Sequence, residues 1–256
     1  MRFGAAMDLR YDQTVGEFVD FLADLGLDHV ELRQGYLDVH PADPRLRDLR
    51  DLLAERDVSV TLHAPFRGAN LANHHEPLRR AAVEAVKDSL DRAQVLGAGG
   101  VVVHAGSIPR RYPDRVKTFA RRQAVRSVRE CARHADDIGV HCCVENQRRK
   151  ESAVRFTATP AQLGDFLAEV DVESEYLAVT VDVGHAKVTG ADPEAFLEAV
   201  GDRIRIVHLH DNDGEHDSHD VIPEFREVAD RLGAPYNVLE MKSLADIEAC
   251  VAGTDG

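Results

Sequence analysis

Tryptophan is absent from this 256-residue chain, and cysteine (four), methionine (three) and lysine (five among 31 basic residues) are scarce. The cysteines, Cys131, Cys142, Cys143 and Cys250, show no CxxC spacing, which leaves no thiolate metal motif. Cys142 and Cys143, as neighbours, would point to opposite faces of a strand. Buried free thiols in a reducing compartment are the expectation. No apolar run approaches the roughly 20 residues a membrane helix requires, and MRFGAAMDLR has no cleavable apolar segment behind Arg2. A soluble, cytoplasmic protein is expected. Positive charge is also short: 45 Asp and Glu against 31 Lys and Arg give a net charge of -14. Such a balance repels DNA unless a local basic patch intervenes; the densest basic stretches are RRYPDR at 110–115 and ARRQAVR at 120–126, and the latter reads as a solvated helix face. The acidic, lysine-poor composition suggests a halophilic protein, in which salt screens that repulsion and net charge says little about partners.

What the chain does have is 44% hydrophobic residues, enough for one sizeable core. Short β-branched runs alternate with helical patterns. The expected strands are Phe3–Met7, His29–Leu32, Val58–His63, Gly100–His104, Val140–Glu145, Ala178–Asp182, Ile204–His210 and Tyr236–Glu240. The expected helices are Val15–Leu25, Arg45–Arg56, Pro77–Leu96, Asp114–Asp137, Ala161–Glu169, Pro193–Val200, Pro223–Leu232 and Leu244–Ala252. Thr14, Thr159 and Asp192 sit near helix starts, whereas Gly26, Gly97, Gly139 and Gly233 follow helix ends and precede strands. Eight such units in this length are the ration of an α/β (β/α)8 TIM barrel, a single domain over residues 1–256; a doubly wound open sheet is the alternative. No Gly-rich dinucleotide fingerprint follows the first strand, and GAGG at 97–100 reads as a turn.

In a barrel the loops after the strands share one mouth, so function belongs at strand ends. Six successive strands end in ionisable residues: His63, His104, Glu145, Asp182 (with His185 following in DVGH), His208 and Glu240. Carboxylates converging there would each cost several kcal/mol if uncompensated, roughly, and a divalent cation removes that cost. Histidine and carboxylate without thiolate suit Zn2+, Mn2+, Co2+ or Mg2+, and each imidazole favours the transition metals. In HLHDNDGEHDSH at 208–219, Asp217 and His219 share one face of an extended segment, while His210, Asp211, Asp213, Glu215 and His216 read as solvated loop. His74 and His75 flank a helix start, and His29, His40, His134 and His141 are assigned no chemistry.

The segments HAPF (63–66), VVVHAGS (101–107), VENQ (144–147), VDVGH (181–185), HLHDNDG (208–214) and VLEMK (238–242) together resemble the xylose isomerase-like TIM-barrel superfamily. That group contains sugar phosphate isomerases and epimerases and the endonuclease IV-type apurinic/apyrimidinic endonucleases. The isomerase branch implies one Mn2+, Co2+ or Mg2+ on Glu145, Asp182, His208 and Glu240, stabilising a cis-enediolate of a carbohydrate substrate. Glu145 and Glu240 would be the catalytic proton carriers, and His185 would contact substrate oxygen. The endonuclease branch implies three Zn2+: His63, His104 and Glu145 for the first, Glu145, Asp182, His208 and Glu240 for the second, and His185, Asp217 and His219 for the third, suited to phosphoester hydrolysis. The sequence departs from that branch: Phe66 stands where Tyr is usual, DVGH replaces DTCH, and no NDSK run follows His208. It also lacks the Gly-Glu-Gly common after HxHDNDG in the isomerase branch. Arg33, Arg67, Arg148, Lys187 and Lys242 follow strand ends and could neutralise a substrate anion; Lys187 and Lys242 are the preferred mouth-facing, substrate-binding candidates. No feature sets an oligomeric state.

Overall fold

Period-two alternation sorts each strand's side chains into two apolar environments, and the closure of the sheet makes one of them an interior. The computed structural model describes residues 1–39 and 45–253; His40 lies outside them. Its strands are β1 (Arg2–Met7), β2 (His29–Arg33), β3 (Ser59–His63), β4 (Val101–Val103), β5 (Ser107–Pro109), β6 (Cys142–Glu145), β7 (Ala153–Arg155), β8 (Leu177–Asp182), β9 (Ile204–Leu209) and β10 (Tyr236–Leu239). All except β5 and β7 pair in parallel around a closed barrel, in the order β1, β10, β9, β8, β6, β4, β3, β2. This is the expected TIM barrel, and the open-sheet alternative is set aside.

The helices are α1 (Val15–Asp24), α2 (Gln34–Val39), α3 (Leu46–Glu55), α4 (Glu76–Leu96), α5 (Asp114–Ile138), α6 (Pro160–Val170), α7 (Val183–Thr189), α8 (Ala195–Val200), α9 (Phe225–Leu232) and α10 (Leu244–Ala252). Each of the eight expected helices is present, shifted by no more than two residues at either end. The short α2 and α7, and the antiparallel pair β5–β7, are additions to the expected pattern. Thr14 caps α1 in a reciprocal box with Glu17, and Thr159 caps α6. The two longest helices, α4 and α5, end on Gly97 and Gly139 at φ 68° and 70°, left-handed backbone that turns the chain back toward the next strand.

The main core lies between barrel and helices and includes Val101, Cys142, Val144, Val181 and Leu209. A separate cluster of Ala6, Val102, Cys143, Ala178, Ile206 and Val238 occupies the opposite parity, inside the barrel. Cys142 and Cys143 therefore do face opposite ways, and all four cysteines are buried and free. Burial pushes the Cys143 thiol up to about 12. No helix among the described residues is long and apolar enough to cross a membrane.

Candidate metal centre

Adding two residues to each member of the interior cluster gives the next position facing the barrel axis: Asp8 after Ala6, His104 after Val102, Glu145 after Cys143, His208 after Ile206, Glu240 after Val238. The same step from Thr180, itself two beyond Ala178, reaches Asp182, and from Thr61 it reaches His63. An apolar plug thus supports a polar layer at the end where every parallel strand finishes, and Glu145, Asp182 and His208 are at most 1% exposed there.

Within that layer the side chains converge. His208 Nδ1 faces Glu145 Oε1 at 3.6 Å, Asp182 Oδ2 at 3.9 Å and Glu240 Oε1 at 3.6 Å. His185 Nδ1 lies 3.2 Å from both Glu145 Oε1 and Asp182 Oδ2. On the other side of Glu145, Oε2 contacts His104 Nε2 and lies 3.8 Å from His63 Nε2. Asp217 Oδ2 stands 3.6 Å from His185 Nε2 and 3.8 Å from His219 Nε2. The nine histidines and acids expected from the sequence are thus drawn into one continuous cluster.

Two members of the cluster were not anticipated. His210, read as solvated loop, is 1% exposed, with Nε2 3.1 Å from Asp182 Oδ1 and its ring stacked on that of His219 at 4.0 Å. The reading is corrected by parity: His210 is two residues beyond His208 and faces the same way. Gly184 makes room for it, since a Cβ there would lie 2.0 Å from His210 Cε1. Glu31, wholly buried, receives His208 Nε2 at 3.2 Å from each of its oxygens and the hydroxyl of Thr61 at 3.1 Å. Thr61 in turn meets His29 Nε2 at 3.0 Å, so a histidine given no role belongs to a buried hydrogen-bonded row ending at His208. Asp211, Asp213, Glu215 and His216 remain outside the described metal-competent groups.

Among the candidate cations, Arg33 is occupied by Asp8 at 2.8 Å and Glu240 at 3.0 Å, and Arg148 by Asp217 at 3.0 Å. Lys187 does not line the mouth cavity: its Nζ donates to Asp211 at 2.6 Å beside a separate cleft near α9, because α7 turns it outward of Asp182. Lys242 and Arg67 do line the mouth, a cavity of about 580 Å3.

The electrostatics follow from burial and crowding. Burial by itself would raise the Glu145 carboxyl, but the imidazoles of His104, His185 and His208 hold it well below the usual carboxylate range. Glu240, likewise opposed by burial, is held low by His208 and Arg33. Burial disfavours the imidazolium of His208 and His185, yet Glu31 and Glu240 raise the first, and Asp182, Asp217 and Glu145 the second, well above the ordinary histidine value. His63 goes the other way, to about 4, through burial and the neighbouring His104.

The donor set fits a divalent cation. His208 Nδ1 and Asp217 Oδ1 are buried without a hydrogen-bond partner, although each points into the cluster. Metal–ligand bonds of about 2.1 Å separate neighbouring ligand atoms by about 3.0–3.4 Å, and the contacts around His208 Nδ1 are near that spacing. Glu31 on the far nitrogen of His208 supplies the carboxylate–histidine pair that fixes which nitrogen is free to bind. Two further ligand-competent groups overlap this one through Glu145, namely His63, His104 and Glu145, and Glu145, Asp182 and His185, while His210, Asp217 and His219 form another beside it.

Comparison with known proteins agrees with this architecture. The family model described as xylose isomerase-like TIM barrel matches residues 19–243. The uncharacterized protein MJ1311 of Methanocaldococcus jannaschii is 29% identical over 241 residues, 91% of this chain and 79% of that one. A D-tagatose 3-epimerase-like protein of known structure superposes with a TM-score of 0.81 at 26% identity, covering 100% of this chain and 95% of that one. Endonuclease IV of Thermus thermophilus superposes with a TM-score of 0.72 at 22% identity, over 100% and 99% of the two chains, a likeness of fold.

Proposed function

This chain belongs to the xylose isomerase-like TIM-barrel family, and from that premise we propose that it is a divalent-metal-dependent isomerase or epimerase of a small carbohydrate. The observation that carries the reading is the approach of Glu145 and Glu240 to His208 Nδ1, each at 3.6 Å, with Asp182 completing the set. A cation held by these four residues would supply Lewis-acid polarisation of adjacent substrate oxygens. Epimerisation beside a carbonyl requires a proton to leave one face of the carbon and return to the other. Glu145 and Glu240 come from strands on different arcs of the barrel, β6 and β10, and both carboxyls are held ionised, so either accepts a proton from its own side. His185, at the cavity wall, has an Nε2 that reaches toward Asp217 and is placed to donate to a substrate oxygen. The D-tagatose 3-epimerase-like neighbour supports a ketose as the first substrate to try.

The test is solvent exchange. With Mn2+, Co2+ or Mg2+ and a panel of ketoses in D2O, proton NMR is expected to show deuterium entering at the carbon beside the carbonyl. Glu145→Gln and Glu240→Gln should slow it by about 10²-fold or more. A panel showing no exchange with any metal overturns the assignment.

Several adjoining ligand groups, two of them sharing Glu145 and a further one formed by His210, Asp217 and His219, favour a second reading: a multinuclear zinc phosphoesterase of the endonuclease IV kind. Elemental analysis decides between them. Close to three zinc ions per chain, with cleavage of an abasic duplex, selects the second.

A further inference from the structure

The barrel mouth holds cations that form no direct ion pair within the protein. Of the basic groups lining it, Arg10 pairs with Asp8 at 2.6 Å, Arg33 with Asp8 and Glu240, and Arg148 with Asp217. Among the described residues, Arg67, Arg155 and Lys242 have no carboxylate partner, and all three line the cavity.

Arg155 is the most constrained of the three. It ends β7, whose antiparallel pairing with β5 sets Ser107 opposite Arg155 and lays this small sheet beside the barrel rim. Its side chain is half-buried, and one of its donors, Nη1, reaches the Arg148 carbonyl at 3.1 Å. A guanidinium carries five N–H donors. None of the remaining donors is sealed away from solvent, so they open onto the cavity shared with Glu145 and Asp217. Burial and the neighbouring Arg148 pull Arg155 below the ordinary guanidinium range, and the more distant Glu145 and Asp217 offset that only in part. Half-burying such a group is costly unless a ligand supplies the counter-charge.

We propose that Arg155, with Lys242 and Arg67 at the rim, forms an oxyanion subsite, so that the carbohydrate handled at the metal centre carries a terminal phosphate or carboxylate. The inference rests on the proposed carbohydrate function and narrows its substrate class. A cavity of about 580 Å3 suits a small molecule of hexose-phosphate size. Arginine offers a planar fork to either anion, and lysine adds a mobile point charge.

The experiment is calorimetric titration of the full-length, metal-loaded protein, in buffer free of phosphate and sulfate, with D-fructose, D-fructose 6-phosphate and D-fructuronate. One of the two anions is expected to bind at least about ten-fold tighter than fructose, and which one does so separates phosphate from carboxylate. In Arg155→Gln that ratio should fall toward one, and in Lys242→Gln it should fall part of the way; the second variant keeps the test sound if the first disturbs the Arg148 loop. Equal affinity for all three sugars overturns the subsite, and so does an anionic preference that survives both substitutions, which would place the anion on the metal alone. Tighter binding of an abasic duplex than of either sugar anion also overturns it, in favour of a nucleic-acid ligand. Deuterium exchange run on the same sugars separates the two proposals: exchange without anionic preference sinks the subsite alone, and anionic preference without exchange sinks the isomerase reading alone.

Discussion

At the scale of single residues, the carboxylate of Glu31 decides how His208 is presented. With Glu31 on Nε2, the free nitrogen is Nδ1, which faces Glu145, Asp182 and Glu240. Glu31→Gln keeps the shape but loses the charge that orients and enriches the imidazole, so divalent metal affinity is expected to fall about 10- to 100-fold. Titration with Mn2+ followed by its paramagnetic signal checks this; unchanged affinity would show that Glu31 merely fills space. Below it, His29 is buried between the Ser59 and Thr61 hydroxyls, 2.8 and 3.0 Å away, and burial lowers it to about 4 from an ordinary 6.5. The unfolded chain therefore binds this proton first. Stability from keeping His29 neutral is complete above about pH 6.5 and is lost as pH falls toward 4. Other histidines titrate over the same range, so the informative quantity is the difference between proteins. His29→Gln should show a shallower loss of urea midpoint from pH 6.5 to 4.5 than the wild type, and parallel curves would refute the assignment.

At the scale of elements, legibility in the sequence followed from repetition. Eight strand runs and eight helical runs carried periodic signals several residues long, and strand-end residues could be placed because a barrel gathers its strand ends at one mouth. The three-residue β4 was legible because VVV is an unbroken β-branched run, whereas SIP and AVR carry neither a period nor such a run, which is why β5 and β7, and with them Arg155, were not legible. Helix α7 was hidden because its first turn, DVGH, read as a bend; the structure uses Asp182 both as a member of the cluster and as the cap accepting from His185 N at 2.7 Å. His210 and Glu31 were legible by parity, two residues from His208 and Arg33, but a loop rich in acids after His210 masked the first and an ordinary-looking VEL segment the second. Gly184 makes this element-level packing testable. Its Cβ would overlap the His210 ring, so Gly184→Ala must move either α7 or His210. A thermal midpoint lowered by several degrees is expected, together with a changed His210 imidazole resonance by NMR. A variant indistinguishable from wild type in both would contradict the packing described.

At the scale of the whole molecule, the charge is unevenly spent: the net is -14, yet the mouth retains Arg67, Arg155 and Lys242 without carboxylate partners among the described residues. The acidic excess therefore belongs to the exterior, where it repels itself. Two effects of added salt oppose one another there. Screening weakens exposed pairs such as Arg56–Asp20 at 2.6 Å and Arg121–Glu169 at 2.9 Å. It also weakens the mutual repulsion of the unpaired carboxylates, and at molar ionic strength the Debye length of about 3 Å leaves little of either. The excess of acid over base sets the sign: more repulsion is removed than attraction. Raising KCl from 0.1 to 2 M should therefore raise the melting temperature, with each kcal/mol gained shifting it by about 2–4 °C in a domain of this size. Scanning calorimetry at matched pH reads the effect directly, and the same titration in NaCl separates screening from binding of a particular cation. A melting temperature that is flat or falls with KCl would mean that the exposed ion pairs dominate and that the acidic composition is not an adaptation to salt.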